Sequence, residues 1–489
     1  MMAVRSLQPP VRETTMTSLR MPLMTAAAAL LLAGCSLVPD YDRPAAPVPA
    51  ALPQNGATLA GVGPTAADAP VWADIPWQQF FTDPTLQGLI RQALETNRSL
   101  RVAALNVEVA RATYRVREAD TLPEVNATAG ESVQRTPRNA STATPARDMI
   151  SRKYSANLAV TSFELDLFGR VRSLESAALE SYLATEEART AAQISLIAEV
   201  ANAYLTLLGD RKLLALTEET LQSRQQSLQL IERSFQLGVG SQLDVSQARS
   251  SVETARASRL RYLRQVEQDR NALSLLVGEP VDVAVPGDLR TVKLVEDIPV
   301  GLSSDVLLRR PDIAQAEHTL KSANANIGAA RAAFFPTISL TGSFGLSSST
   351  LQNLFKAGSG AWAFAPSLSL PIFDAGKNEA ELDSAKATKD IAVANYEKAI
   401  QTAFREVADS LAARGTYGEQ LQAQNALVDA YSNSLQLSQA RYDRGIDSYL
   451  SVLDAQRSLF SAQQEQVTTE VARLSTLVTL YKTLGGGVK

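Results

Sequence analysis

Along residues 337–346 the chain alternates with a period of two. Ile338, Leu340, Gly342, Phe344 and Leu346 take the even positions, while Thr337, Ser339, Thr341, Ser343 and Gly345 take the odd ones. Residues 362–372 repeat the pattern: Trp362, Phe364, Pro366, Leu368, Leu370 and Ile372 alternate with Ala363, Ala365, Ser367 and Ser369. One apolar face and one small or polar face predict β-strands. Two noisier runs, 124–134 and 154–167, carry the same signal. Val125, Ala127 and Ala129 alternate in the first, and Phe163, Leu165 and Leu167 in the second, after a break in phase that reads as a bulge.

Strands of about ten residues suit a membrane-spanning barrel. The alternative use is a soluble β-sandwich hairpin. In lipid, four strands cannot close on themselves, and each unpaired backbone group at an open edge costs several kcal/mol. Closure then needs further copies of the chain. Two copies would give eight strands and an interior filled by side chains; three would give twelve strands and a lumen. The alternation itself leaves that choice open.

Elsewhere the periodicity is helical. No proline interrupts 171–237 or 377–444. Roughly 67 residues at 1.5 Å each make a rod of about 100 Å, on the order of the depth of a periplasm. After each rod comes a heptad pattern. Leu453, Phe460, Val467, Leu474 and Tyr481 recur every seven residues, with Val471 and Val478 in the second seam. The earlier copy reads Val245, Val252, Val266 and Leu273, interrupted by Arg259. Each rod therefore folds back as a helical hairpin, reversing at a glycine turn.

The two sets of elements are an internal duplication. Gly238-Val239-Gly240-Ser241-Gln242-Leu243-Asp244-Val245 aligns with Gly445-Ile446-Asp447-Ser448-Tyr449-Leu450-Ser451-Val452, about 207 residues later, and Gly278 aligns with Gly485 at the same offset. The period is far too long for a solenoid. The first repeat is expected over 72–285, with strands 124–134 and 154–167 and a helical hairpin over 171–278. The second is expected over 286–489, with strands 337–346 and 362–372 and a hairpin over 377–484. The fold class is thus α+β, with membrane strands continuous with long helices. Gly485-Gly486-Gly487 reads as a helix stop, since no strand precedes it as a phosphate loop would require.

The N-terminus carries Arg12 and Arg20, then an apolar run from Met21 to Leu32, then Leu32-Ala33-Gly34-Cys35. This predicts a signal peptide over 1–34, cleaved before a lipidated Cys35; Met16 and Met21 are plausible alternative starts. Ser36 after the cysteine, in place of aspartate, points to the outer membrane. Acyl chains contribute about 0.8 kcal/mol per buried CH₂, enough for firm anchoring. Pro39, Pro44, Pro47, Pro49, Pro53, Pro64 and Pro70 make 35–71 read as an extended lipidated tether.

Composition narrows the chemistry. One cysteine and one histidine exclude a disulfide framework and a Cys/His metal cluster. His318 sits in a helix-start pattern with no nucleophile motif, so acid–base catalysis has no candidate. A formal net charge of -4 gives no basic field for nucleic acid. No enzyme activity, cofactor or metal is expected.

Four stretches together resemble one family: 163–170 (Phe-Glu-Leu-Asp-Leu-Phe-Gly-Arg), 307–313 (Leu-Leu-Arg-Arg-Pro-Asp-Ile), 329–336 (Ala-Ala-Arg-Ala-Ala-Phe-Phe-Pro) and 442–450 (Tyr-Asp-Arg-Gly-Ile-Asp-Ser-Tyr-Leu), extended by Asp454-Ala455-Gln456-Arg457. The chain is similar to the TolC-like outer-membrane efflux proteins, nearest the OprM and NodT type of lipoprotein, from about Trp72 to Gly487. The resemblance implies a homotrimer in the cell outer membrane. Twelve shared strands form the barrel, and twelve helices form a periplasmic tunnel. The implied partners are a periplasmic adaptor (membrane fusion) protein, an inner-membrane pump of the RND type and outer-membrane lipids. The implied role is export of small molecules such as drugs. A type I protein-secretion outlet and a non-transporting structural lipoprotein are the alternatives.

The same resemblance places functional residues. Gly238, Val239, Gly240 and Ser241, with Gly445, Ile446, Asp447 and Ser448, become adaptor contacts at the periplasmic tip. Leu450, Asp454 and Arg457 lie at i, i+4 and i+7, on one helical face. In a trimer they would form an apolar and an acidic ring, that is, a gate whose conductance depends on pH and divalent ions. Arg441 and Tyr442 match residues that hold the closed tip.

Overall fold

The computed structural model describes residues 36–53, 75–140, 142, 144–145, 147–281, 288–289, 292, 294 and 303–487. The expected signal peptide, Cys35 and the tether residues 54–71 lie outside these. The chain divides into two compact units.

The first unit comprises the described parts of Met1–Asp42, Ala112–Glu180 and Lys321–Ile391. It is built on four strands, β1 (Val125–Thr136), β2 (Met149–Leu165), β3 (Thr337–Ser348) and β4 (Gly360–Ser369), in the order β1-β2-β3-β4 with every neighbour antiparallel. The β2–β3 ladder joins the two repeats. Directly opposed residues in antiparallel strands share a face, so the register sorts the side chains. One row runs Val125, Val160, Gly342, Phe364, and the next runs Ala127, Leu158, Phe344, Trp362. On the opposite face the rows run Asn126, Ala159, Ser343, Ala363 and Thr128, Asn157, Gly345, Ala361.

The phase break in β2 is a bulge between Val160 and Phe163, with Ser162 at φ 55°. One extra residue switches the apolar side from even to odd numbers, so Phe163 opposes Leu340 and Leu165 opposes Ile338. Among the described residues nothing covers the apolar face: Phe344, Trp362 and Phe364 are 72%, 77% and 62% exposed.

The strand ends differ from the alternation by a few residues. β2 starts at Met149, not 154, because Thr136 still opposes Met149 and Arg135 pairs with Asp148 just beyond. Arg135, Arg138, Arg152 and Lys153 mask the period there. β4 ends at Ser369, not 372, since Pro371 has no N–H to donate to a ladder. Phe168 and Phe335 stack 4.7 Å apart.

The tether does not hang free where it is described. In the first unit Arg331 and Asn324 donate to the carbonyls of Leu37 and Pro39, at 3.1 and 2.8 Å. A Cβ on Gly328 would lie 2.5 Å from Val38, so the glycine makes room for the strap.

The second unit comprises the described parts of Arg43–Arg111, Ser181–Leu320 and Ala392–Lys489. Its longer helices are α1 (Pro84–Thr96), α2 (Arg98–Ala119), α3 (Arg170–Gln236), α4 (Gln242–Val277), α5 (Pro311–Ala332), α6 (Lys377–Asp443) and α7 (Tyr449–Thr483), of which α2, α3, α5 and α6 run on into the first unit. Asp83 caps α1, accepting from Thr85 and Leu86 at 2.7 and 3.0 Å, with Pro84 at the first helical position.

The core lies where α1, α3, α4, α6 and α7 meet. Leu273, Leu474, Val478 and Tyr481 of the heptad seams are buried there, while the interrupting Arg259 pairs with Glu218 at the surface. Tyr481 stacks on Phe80 at 4.0 Å, and its hydroxyl donates to the Ile75 carbonyl at 2.6 Å. Arg310, buried, holds Asp312 and Glu406 at 2.7 and 2.9 Å and donates to the Thr483 carbonyl. Here too the tether is docked: Arg43 pairs with Glu317 at 2.7 Å, and Ser304 Oγ donates to the Pro49 carbonyl at 2.5 Å.

Candidate functional site

The second unit ends in two helical reversals whose sequences made them candidate contacts. α3 closes with a 6→1 bond from Val239 N to the Ser234 carbonyl (3.0 Å), and α6 closes with the equivalent bond from Ile446 N to Arg441 (3.0 Å). Gly238 (φ 76°) and Gly445 (φ 70°) supply the left-handed residue that this ending requires. Ser241 then opens α4 with a reciprocal capping box to Asp244. Ser448 begins α7 without a side-chain cap.

Both turns border one groove of about 620 Å³, lined by Val239, Gly240 and Asp244 from one and by Gly445, Asp447 and Ser448 from the other. At the rim Val239 is 80% exposed, and Leu237 and Ile446 are also exposed.

Arg441 grips Asp447 with two bonds, Nε to Oδ2 at 2.6 Å and NH2 to Oδ1 at 3.0 Å. This brace spans the second turn, and the guanidinium holds the Asp447 carboxyl below its ordinary value. Tyr442 packs beside Tyr449, with ring centroids 5.5 Å apart, over a small core of Ile231, Val245, Ala248, Val452 and Leu453. Burial raises both phenols, and Asp244 adds to the effect at each.

The structure therefore joins Arg441 and Tyr442 to the second turn through Asp447 and Tyr449. It keeps Leu450, Asp454 and Arg457 apart from that brace. Leu450 is exposed, and Asp454 and Arg457, both exposed, pair with each other at 2.9 Å. Tyr449 had no assigned role in the sequence, where it served only as a repeat match and as part of the 442–450 stretch. Asp244 was legible as the acidic N3 residue of a Ser-x-x-Asp helix start.

Higher in the same unit two carboxyls face each other from α3 and α4. Burial, and then its neighbour Asp210, push Asp269 up to about 7. Burial also raises Asp210, while Asp269 and Arg261 oppose that rise. No local motif marks this pair, because its members are far apart along the chain.

Known proteins share this layout over nearly the whole chain. A family model described as "Outer membrane efflux protein" matches twice, over 89–279 and 302–486, one match per repeat. The chain is similar to the toluene efflux pump outer membrane protein TtgC of Pseudomonas putida, at 53% identity over 467 residues and 95% of each chain. It is 47% identical to the outer membrane protein OprJ of Pseudomonas aeruginosa, over 94% of each. Among solved structures, the open-state MtrE outer membrane channel of Neisseria gonorrhoeae superposes with a TM-score of 0.82, at 40% identity over 93% of this chain and 99% of that one.

Proposed function

This chain belongs to the outer membrane efflux protein family, and from that premise we propose that it is the outer-membrane channel of a tripartite efflux system, exporting small apolar molecules such as antibiotics and solvents. The observation that carries the reading is the sheet. Its four strands expose a continuous apolar face, oppose it with a small and polar face, and leave β1 and β4 as edges without a partner strand among the described residues. In lipid such edges must be paired. Three copies give twelve strands and a water-filled lumen, with the rows of Asn126, Thr128, Ser343 and Ala363 inside and those of Leu158, Phe344, Trp362 and Phe364 towards lipid.

The chain then catalyses no reaction. Energy and substrate selection lie with an inner-membrane pump of the RND type, joined through a periplasmic adaptor. The adaptor contacts are the two turns, Gly238 to Ser241 and Gly445 to Ser448, because they present exposed apolar side chains around one groove. Closure is held by the Arg441–Asp447 brace and the Tyr442–Tyr449 packing. Leu450 and Asp454, exposed on α7, form rings about the trimer axis. Cys35 bears the lipid that anchors the tether.

Deleting the gene should sensitise cells to solvents and amphiphilic antibiotics, and plasmid copies should restore resistance; unchanged susceptibility would refute the export role. Radiolabelled palmitate should enter the wild-type protein and not the Cys35→Ala variant; equal labelling would remove the lipobox.

A further inference from the structure

Arg224 on α3 is only 5% exposed. Such a side chain keeps its proton under all ordinary conditions, so burial leaves a charge that needs compensation. Among the described residues no carboxylate pairs with it. Its partners are the Ser251 carbonyl, which accepts from NH1 at 3.1 Å, and the face of Phe460, 5.5 Å from the guanidinium carbon. Nε has no hydrogen-bond partner.

The guanidinium borders a cavity of about 170 Å³ between α3, α6 and α7, also lined by Thr220, Ser223, Gln456 and Glu219. Gln456 Oε1 is buried and likewise unbonded, and rotating this amide would turn its N–H donors towards the same space. Glu219 is exposed and makes no ion pair with Arg224 among the described residues. Burial, with a contribution from the nearby Arg457, weakens the hold of Arg224 on its proton; Tyr449 opposes this.

The geometry points to a small monovalent inorganic anion of the chloride class bound in this cavity, accepting from Arg224 Nε–H and the Gln456 amide. Chloride fits the space and demands no fixed direction of approach, whereas a polyanion would need more cations than the lining supplies. The site lies between the first hairpin and the start of α7, so an occupant ties Asp454 and Arg457 of α7 to α3. The site is built within one chain and does not depend on the export role.

The test uses the full-length protein in detergent. Crystals grown in sodium bromide should show an anomalous peak beside Arg224 and Gln456. The melting temperature should rise saturably with bromide or chloride against gluconate at constant ionic strength, and that response should be lost in Arg224→Gln. Gln456→Leu, which leaves the cation in place, should weaken the halide response without abolishing folding. A cavity holding water alone, with no bromide peak, overturns the assignment. So does an equal thermal response to halide and gluconate, or a wild-type response in Gln456→Leu and Arg224→Gln alike.

Discussion

Phe364 and Ala365 are neighbours on β4 that the register sends to opposite faces, so replacing each with arginine separates lipid from lumen. Phe364 opposes Gly342 in the apolar row, is 62% exposed and stands mid-strand; Ala365 opposes Thr341 in the polar row. An arginine at the bilayer midplane on a lipid face costs about 2–4 kcal/mol in an outer-membrane barrel, while a lumen position is nearly neutral. The first change should therefore lower the folded-to-unfolded ratio roughly 30- to 700-fold per chain, at about 1.4 kcal/mol for each factor of ten. Losing the phenyl contact with lipid adds to that. Urea titration of protein refolded into phosphatidylcholine vesicles, read by the gel mobility of the folded form, gives the ratio directly. Phe364→Arg should shift the midpoint strongly downward and reduce outer-membrane protein in cells. Ala365→Arg should leave stability near wild type and change ion selectivity instead. Equal destabilisation by both, or a larger loss at Ala365, would refute the assignment of faces.

Other perturbations probe the helical unit. Tyr481→Phe removes one hydrogen bond to Ile75 and should cost about 1 kcal/mol, whereas Tyr481→Ala empties the stack on Phe80 and should cost about 3–5 kcal/mol; thermal melts with matching losses would contradict that split. Arg441→Ala should raise single-channel conductance in planar bilayers by freeing the second turn from Asp447, and wild-type currents would show that the brace does not hold the tip. Asp454→Ala should blunt any dependence of those currents on divalent cations; an unchanged dependence would remove the acidic ring. The raised value of Asp269 means that the folded state binds the extra proton between the ordinary carboxylate range and about 7. Stability from this pair is full at the acid end and declines as pH rises through that window. Asp269→Asn should flatten the decline and melt higher than wild type at pH 8; a steeper slope would contradict the shared proton.

How much the sequence disclosed depended on which forces act locally. Thr337–Ser348 and Gly360–Ser369 were legible because lipid on one side and water on the other force a strict alternation on β3 and β4. β2 was harder to place, since its bulge at Ser162 inverts the phase and its outer end, from Met149 to Lys153, carries charges. Glycines at Gly238 and Gly445 marked the reversals because the backbone there has positive φ. The same conformation at Gly169 and Gly376, again 207 residues apart, passed unnoticed, although it opens α3 and α6 after the strands. Prolines between Pro39 and Pro53 suggested an extended tether but not what it docks on, because composition reports only that a segment lacks its own hydrogen bonds. Its carbonyls accept instead from Asn324, Arg331 and Ser304, 255 to 294 residues away. Arg310, Arg224 and the Asp210–Asp269 pair depend on tertiary neighbours and carried no periodic signal.

Native mass spectrometry of the detergent-solubilised protein, released from micelles at low collision energy, weighs the assembly itself. A single species of three copies is expected, each lending four strands to one pore. A folded chain that stays a lone copy at every concentration, with β1 and β4 satisfied from within, would contradict the account.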